Sequence, residues 1–137
     1  MPTTLAQMVA AARAEANEVS PAEAARAHNR GDIDLIVDVR EPHEYQEGHM
    51  PGAVNIPRGL LEIRADPASP AYDARLSSDP SARVLVYCTK GPGARSLLAS
   101  QTLTSMGYDS VTVLGGGLLG WAEAGLPVET ESQPVTA

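Results

Sequence analysis

The chain has one cysteine, Cys88, at a place where a reactive thiol would meet a ligand. The cysteine directly follows Arg83-Val84-Leu85-Val86-Tyr87, an apolar run typical of a strand buried on both faces. A glycine-containing loop comes next, and a helix is predicted from about Ala94 onwards. In open α/β sheets, ligands bind in the crevice beyond the carboxyl ends of the strands. Cys88 is therefore a candidate nucleophile, although a lone cysteine is also often a small buried hydrophobic residue.

The loop after the cysteine has the composition of an anion-binding segment. Gly91 and Gly93 allow backbone N–H groups to turn inward as a nest, and the following helix adds the positive end of its dipole. Lys90 and Arg95 are the neighbouring cations, and no Asp or Glu occurs between residues 80 and 108. The chain as a whole carries a net charge of −7. The local charge is thus opposite to the global one, which suits a thiolate and an anionic substrate.

Length and composition limit the class of protein. The 137 residues, 43% of them apolar, suit one compact domain with a packed core. The net negative charge argues against nucleic acid or a membrane surface as a partner. One cysteine leaves no disulfide within the chain and too few ligands for a cysteine-based zinc site, so no metal is expected. The first residues lack a basic leader followed by an apolar run, and no apolar stretch reaches bilayer length, so we expect a cytoplasmic protein.

Short apolar strands alternate with helices along the sequence, which predicts an α/β fold with a mainly parallel sheet. The predicted helices cover residues 4–17, 20–31, 60–64, 94–106 and 118–124. The predicted strands cover residues 35–39, 53–56, 83–87 and 111–114. The first helix has an apolar stripe at helical spacing, made of Leu5, Met8, Val9, Ala12 and Ala16. Residues 66–82 are rich in Asp, Pro, Ser and Ala and are predicted to form a surface loop.

Three ordered motifs resemble those of the rhodanese family. The segment DVREPHEYQEGHMPGAVNIP, residues 38–57, is similar to the family's upstream motif, and LGGGLLGWAEAGLPV, residues 114–128, is similar to the downstream one. Between them, the cysteine loop shares with the family a cysteine, a glycine three residues on, and then Arg-Ser. The resemblance covers about residues 18–130 and implies a rhodanese-type sandwich, a small parallel sheet with helices on both faces. It leaves residues 1–17 as an accessory helix and residues 131–137 as a flexible tail.

This resemblance implies a sulfurtransferase that needs no metal and no organic cofactor. Cys88 would accept a sulfane sulfur from a small anionic donor, either thiosulfate or a persulfide, and would pass it to a thiol or to a protein acceptor. Arg58 follows a turn that approaches the active-site mouth in this family, so it would either gather the donor or remain a solvated surface residue. The residues implied for substrate binding in the loop are Thr89, Lys90, Gly91, Pro92, Gly93, Ala94 and Arg95.

The loop departs from the family in length. Rhodaneses usually place four residues between the cysteine and the arginine, and the related phosphatases and arsenate reductases place five, whereas six separate Cys88 from Arg95. Either the loop is enlarged or Arg95 stands on the first helical turn. The extra residues, Pro92 and Gly93, would either widen the loop toward a tetrahedral oxyanion or form an outward bulge at Pro92, because proline offers no N–H. Sulfur transfer with a bulge is favoured; the alternatives are phosphatase or arsenate-reductase chemistry and a non-catalytic sulfur carrier.

Several other residues are interpreted as structural rather than functional. Asp38 ends a predicted strand and is expected to order neighbouring loops through hydrogen bonds. His49 lies in a motif that the family resemblance marks as architectural, although pairing of a histidine with the cysteine, as in a protease, stays open. The Gly115-Gly116-Gly117 run lacks the Lys-Ser/Thr ending of a nucleotide-binding loop and is expected to shape a turn. Trp121 is expected to pack in the core.

Overall fold

A computed structural model describes residues 2–131 of the chain and shows helices and strands in alternation. The helices are α1 (Leu5–Glu15), α2 (Pro21–Asn29), α3 (Pro42–Glu47), α4 (Leu61–Ala65), α5 (Ala94–Ser105) and α6 (Gly117–Glu123). The strands are β1 (Asn17–Val19), β2 (Leu35–Asp38), β3 (Val54–Asn55), β4 (Arg83–Tyr87) and β5 (Ser110–Leu114). A 3₁₀ turn, Arg58–Leu60, leads into α4.

The strands form one parallel sheet in the order β1-β5-β4-β2-β3. The central strand, β4, pairs with β2 on one side and with β5 on the other. Asp38 pairs with Tyr87 in register, so β2 and β4 end side by side at the same edge of the sheet. Cys88 follows β4 at this carboxyl edge, where a parallel sheet presents its ligand-binding crevice.

Two hydrophobic clusters cover the two faces of the sheet. One contains Leu61 of α4 and Leu103 of α5, and α1 packs against α5 on the same face. The other contains Ala24 of α2 together with Leu118 and Trp121 of α6. Helices therefore lie on both faces, and the predicted α/β class with a parallel sheet is confirmed. Trp121 is buried, as expected for a packing residue.

Local sequence signals account for the ends of the first two helices. Thr4 and Ser20 each accept a hydrogen bond from the backbone N–H three residues on, and the Gln7 and Glu23 side chains accept from the cap residues' N–H groups in return. These are capping boxes, which satisfy backbone donors that the helix itself leaves unpaired. Pro21 occupies the first helical position, where its missing N–H is not needed.

The stripe predicted for α1 is only partly correct. Ala12 is buried, but Leu5 and Met8 are 61% and 47% exposed, so the expectation that they pack inward is wrong. Of the predicted tail, only Glu131 lies within the described residues, and its N–H donates to the Gln46 carbonyl at 3.1 Å.

Two elements were not predicted from the sequence. Strand β1 adds an edge to the sheet by pairing with β5. Helix α3 follows β2 and lies between the predicted strands 35–39 and 53–56, where no element was predicted. Segment 66–82 has neither helix nor strand, as expected, although Leu76 within it is buried. None of the helices found in residues 2–131 is both long enough and apolar enough to cross a lipid bilayer.

Candidate active site

The buried Cys88 lines a cleft of about 360 Å³ at the carboxyl edge of the sheet. Its thiol donates to the Lys90 carbonyl oxygen at 3.1 Å and lies 3.3 Å from the Ser96 hydroxyl oxygen. The Ser96 hydroxyl is buried and donates in turn to the Gly93 carbonyl at 3.1 Å. The cysteine is thus held by polar contacts at the start of α5, with one side of its sulfur facing the cleft.

Gly93 is required at its position by the closeness of this sulfur. A Cβ atom on Gly93 would lie 2.7 Å from Sγ of Cys88 and 2.8 Å from the Lys90 carbonyl oxygen. Both distances are shorter than real Cβ contacts, so any side chain there would displace the sulfur or the loop.

The beginning of α6 makes backbone hydrogen bonds to the start of the cysteine loop. The N–H groups of Leu118 and Leu119 donate to the Cys88 and Thr89 carbonyls at 2.9 and 3.0 Å. Gly117 has a φ of +59°, and a Cβ on it would lie 2.7 Å from the Cys88 carbonyl oxygen. The interpretation of the triple glycine as a turn is therefore incomplete, because these glycines also let two backbone segments touch beneath the reactive residue.

Glu44, on α3, is the acidic residue of the cleft. Its carboxylate accepts from both terminal nitrogens of Arg95, at 2.7 and 3.3 Å, and from the Thr89 hydroxyl at 3.2 Å. The N–H of Glu41 also donates to it, at 3.0 Å. The hydrogen bonds from Arg95, more than any other contact, hold the pKa of Glu44 at about 2, below its usual 4.5. The same contact raises the pKa of Arg95.

Of the seven loop residues that were predicted to bind substrate, five line the cleft and two do not. The residues that line the cleft are Glu44, Cys88, Thr89, Lys90, Gly93, Ala94 and Arg95. Gly91 and Pro92 do not line it, and a Cβ on Gly91 would lie 2.4 Å from the Gly117 nitrogen. Arg95 is the second residue of α5, so it stands on the first helical turn, which was one of the two predicted alternatives.

Asp38 lies outside the cleft lining and forms a buried ion pair with Arg40. The guanidinium of Arg40 donates to the Asp38 carboxylate at 2.7 Å and to the Gly48 carbonyl at 2.6 Å. The Asn55 side-chain amide donates to the backbone carbonyls of both residues. Through Arg40, Asp38 thus connects the chain before α3 to Gly48 after it, as the loop-ordering interpretation predicts.

Two other predicted residues, His49 and Arg58, are not among the residues that line the cleft. His49 is buried, stacks on the Tyr45 ring with centroids 3.7 Å apart, and exchanges backbone hydrogen bonds with Glu129. Arg58 donates to the Thr102 hydroxyl and to the Glu62 carboxylate, each at 2.9 Å, and is not among the cleft residues. In this structure, neither residue faces Cys88.

Sequence reasoning missed Glu44 and gave Ser96 no role. The signal for Glu44 was present in Glu41-Pro42-His43-Glu44, because proline at the first helical position with a glutamate two residues later indicates a helix start. No local signal pairs this glutamate with an arginine 51 residues further along the chain.

Comparisons with known proteins agree on one family. The model of the rhodanese-like domain matches residues 20–124. A sulfurtransferase of Allochromatium vinosum is 38% identical over 95 residues, which cover 69% of this chain and 77% of that protein. Thiosulfate sulfurtransferase 18 of Arabidopsis thaliana is 35% identical over 105 residues, with coverages of 74% and 76%. A solved Rhodopseudomonas palustris structure, described as a protein of unknown function and possible tyrosine phosphatase, superposes with a TM-score of 0.82 at 34% identity, covering 94% of this chain and 99% of that one. Together with the cysteine loop at the sheet edge, these matches show that the chain belongs to the family of rhodanese-like domains.

Proposed function

We propose that this protein is a sulfurtransferase that carries a sulfane sulfur as a persulfide on Cys88. The observation that carries the proposal is the position of Cys88 in the lining of a cleft, with its sulfur against the Ser96 hydroxyl and beside Gly93. The names of the relatives from Allochromatium and Arabidopsis support the same reaction class. The proposed donor is a small anion, thiosulfate or a persulfide, and the proposed acceptor is a thiol or a protein.

The first half-reaction loads the cysteine. The Cys88 thiolate attacks the outer sulfur of thiosulfate and forms a new S–S bond with its own electron pair. The S–S bond of the donor breaks, its electron pair leaves with sulfite, and the persulfide anion remains on the protein. In the second half-reaction a thiolate, or cyanide in an assay, attacks that outer sulfur, and the pair of the protein S–S bond returns to Cys88. Covalent catalysis of this kind divides one difficult transfer into two easier steps.

Ser96 is proposed to stabilise the anionic sulfur. In the structure its hydroxyl donates to the Gly93 carbonyl, while the Cys88 thiol points to oxygen acceptors, an arrangement suited to the neutral thiol. When the thiol loses its proton, rotation about the Ser96 Cβ–Oγ bond turns the O–H toward the sulfur 3.3 Å away. A hydrogen bond to an ionised acceptor is roughly twice as strong as one between neutral groups.

Intact-mass spectrometry tests this function directly. After exposure to thiosulfate or a small persulfide, the wild-type protein should gain one sulfur atom, and cyanide should remove it with release of thiocyanate. Cys88→Ala should gain no sulfur and should have no measurable turnover, because the chain has no other cysteine. A wild-type protein that stays unmodified by every donor would exclude the proposal. Loading without cyanide turnover would favour a sulfur carrier over an enzyme.

Phosphatase or arsenate-reductase chemistry is the second candidate. It is favoured by the six residues between Cys88 and Arg95 and by the description of the Rhodopseudomonas protein. Against it, Pro92, one of the two extra loop residues, lies outside the cleft lining, and the other, Gly93, lines the cleft but adds no side chain to it. We therefore expect no turnover of p-nitrophenyl phosphate or arsenate. Efficient turnover of either, without a detectable persulfide, would replace the sulfurtransferase proposal.

A further inference from the structure

The charges of the cleft are partly cancelled before any substrate binds. Its charged lining residues within the described chain are Glu44, Lys90 and Arg95. Arg95 uses both terminal nitrogens on the Glu44 carboxylate, at 2.7 and 3.3 Å. With a pKa of about 2, Glu44 stays ionised at neutral pH and neutralises the guanidinium. These three side chains therefore present an incoming donor with a net positive charge of about one unit, which comes from the exposed ammonium of Lys90.

Helix α3 fixes this counter-charge in place. The Glu44 carboxylate accepts hydrogen bonds from the Glu41 N–H, the Thr89 hydroxyl and Arg95, so its position is set by three separate groups. Its side chain is 24% exposed, and that of Arg95 is 39% exposed. The Glu44 carboxylate lines the same cleft as Cys88, so it repels each negative charge on a donor, and the total repulsion is about twice as large for a dianion as for a monoanion. The repulsion is one Coulomb interaction per charge, weakened by solvent.

We infer that Glu44 determines donor selectivity, so that the cleft takes monoanionic sulfane donors, such as organic thiosulfonates and persulfides, in preference to dianionic thiosulfate. This inference rests on the proposed sulfurtransferase function. Both classes of donor load Cys88 by the same exchange, in which the thiolate forms an S–S bond and the leaving group departs with the electron pair of the broken one. Thiosulfate releases sulfite, and methanethiosulfonate releases methanesulfinate. Charge is thus the main difference between them, since one oxygen is replaced by a methyl group of similar size.

The test compares these two donors on three proteins. The proteins are the wild type, Glu44→Gln and a control, Glu47→Gln, which makes the same charge change on the same helix at an exposed position outside the cleft. For each, kcat and KM are measured with both donors at low and at high ionic strength. Glutamine retains the length and one acceptor oxygen of Glu44, and a circular dichroism melt checks that each variant is folded.

In Glu44→Gln we expect kcat/KM for thiosulfate to rise about threefold to tenfold, mostly through a lower KM, because one unit of repulsion is removed. The kcat/KM for methanethiosulfonate should rise less, so the preference for methanethiosulfonate over thiosulfate, expressed as the ratio of the two kcat/KM values, should fall. The thiosulfate gain should shrink at high ionic strength, since salt screens the interaction. Glu47→Gln should leave the ratio within about twofold of wild type, because its charge is outside the cleft.

Two results would overturn the inference alone. One is an equal change for both donors in Glu44→Gln, and the other is a loss of thiosulfate turnover, which would mean that Glu44 mainly orients Arg95 for catalysis. Failure of the proposed function has a different signature. A wild-type protein that gains no sulfur from either donor by intact mass would exclude the sulfurtransferase and this inference together.

Discussion

At the scale of single residues, the surroundings of the Cys88 sulfur are set by a glycine and a serine. Gly93 contributes no side chain where a Cβ would overlap the sulfur, and Ser96 places one hydroxyl against it. Reaction rates depend steeply on such placement, because a displacement of about 1 Å can cost roughly a hundredfold in rate. We therefore expect the proposed sulfur transfer to depend on Gly93 and Ser96 as well as on the cations of the loop.

Gly93→Ala should lower the rate of persulfide formation by about tenfold or more, because the new methyl group displaces the sulfur or the loop. Pre-steady-state mass spectrometry with thiosulfate measures this rate. Gly59→Ala is the matched control, since a Cβ there meets no atom within 4 Å. If Gly93→Ala loads sulfur as fast as Gly59→Ala, the loop tolerates a side chain and the assigned role of Gly93 is wrong.

At the scale of elements, the site is formed where two segments after neighbouring strands meet. The loop after β4 supplies the sulfur, and helix α3, after β2, supplies Glu44. The ion pair between Glu44 and Arg95 joins α3 to α5, and the buried Asp38–Arg40 pair holds the chain on both sides of α3. The short helix is thus attached through charged contacts, which depend on pH.

Glu44 should contribute to stability in a way that is lost in acid. Its pKa in the folded protein, about 2, is below the usual 4.5, so the unfolded chain binds this proton first as pH falls. The contribution is present above the usual pKa and disappears between about pH 4.5 and pH 2. Glu44→Gln should therefore show a smaller loss of Tm than wild type across this window.

Thermal melts at half-unit pH steps would measure the difference, with Glu47→Gln as the control for a charge change outside the ion pair. Parallel Tm curves for wild type and Glu44→Gln below pH 4.5 would contradict the assignment of this pKa to the Arg95 contact.

At the scale of the whole molecule, α1 packs on one face of the sheet, against α5. Ala12 of α1 is buried, while Leu5 and Met8 remain exposed. The family match begins only at residue 20. The cleft residues all belong to later elements, so α1 is proposed to be accessory to the reaction.

A variant that begins at Asn17, and so keeps β1 paired with β5, should fold and load sulfur at a rate close to wild type. Loss of the α1 contact should cost about 2 kcal/mol and lower Tm by about 5–10 °C. Melting curves and intact-mass loading measure the two effects. A folded variant without sulfur loading would show that α1 is needed at the site or for assembly.

The sequence by itself determined the features that depend on neighbouring residues. The helix that begins near Ser20, the buried β4 and the glycines after Cys88 were all predicted, because each signal spans a few positions and acts through local hydrogen bonds or backbone freedom. These signals were sufficient for the parallel α/β class and for the location of Cys88, the proposed nucleophile, directly after a strand.

Only the tertiary structure decided which distant side chains meet. Helix α3 is six residues long, too short for a periodic signal, and the pairing of its Glu44 with Arg95 follows from β2 lying beside β4 in the sheet. The same arrangement directs Arg58 to Thr102 rather than to Cys88, and it leaves Leu5 exposed despite its helical spacing. Contacts of this kind join residues far apart in sequence, so they are set by strand order and packing, which no local pattern encodes.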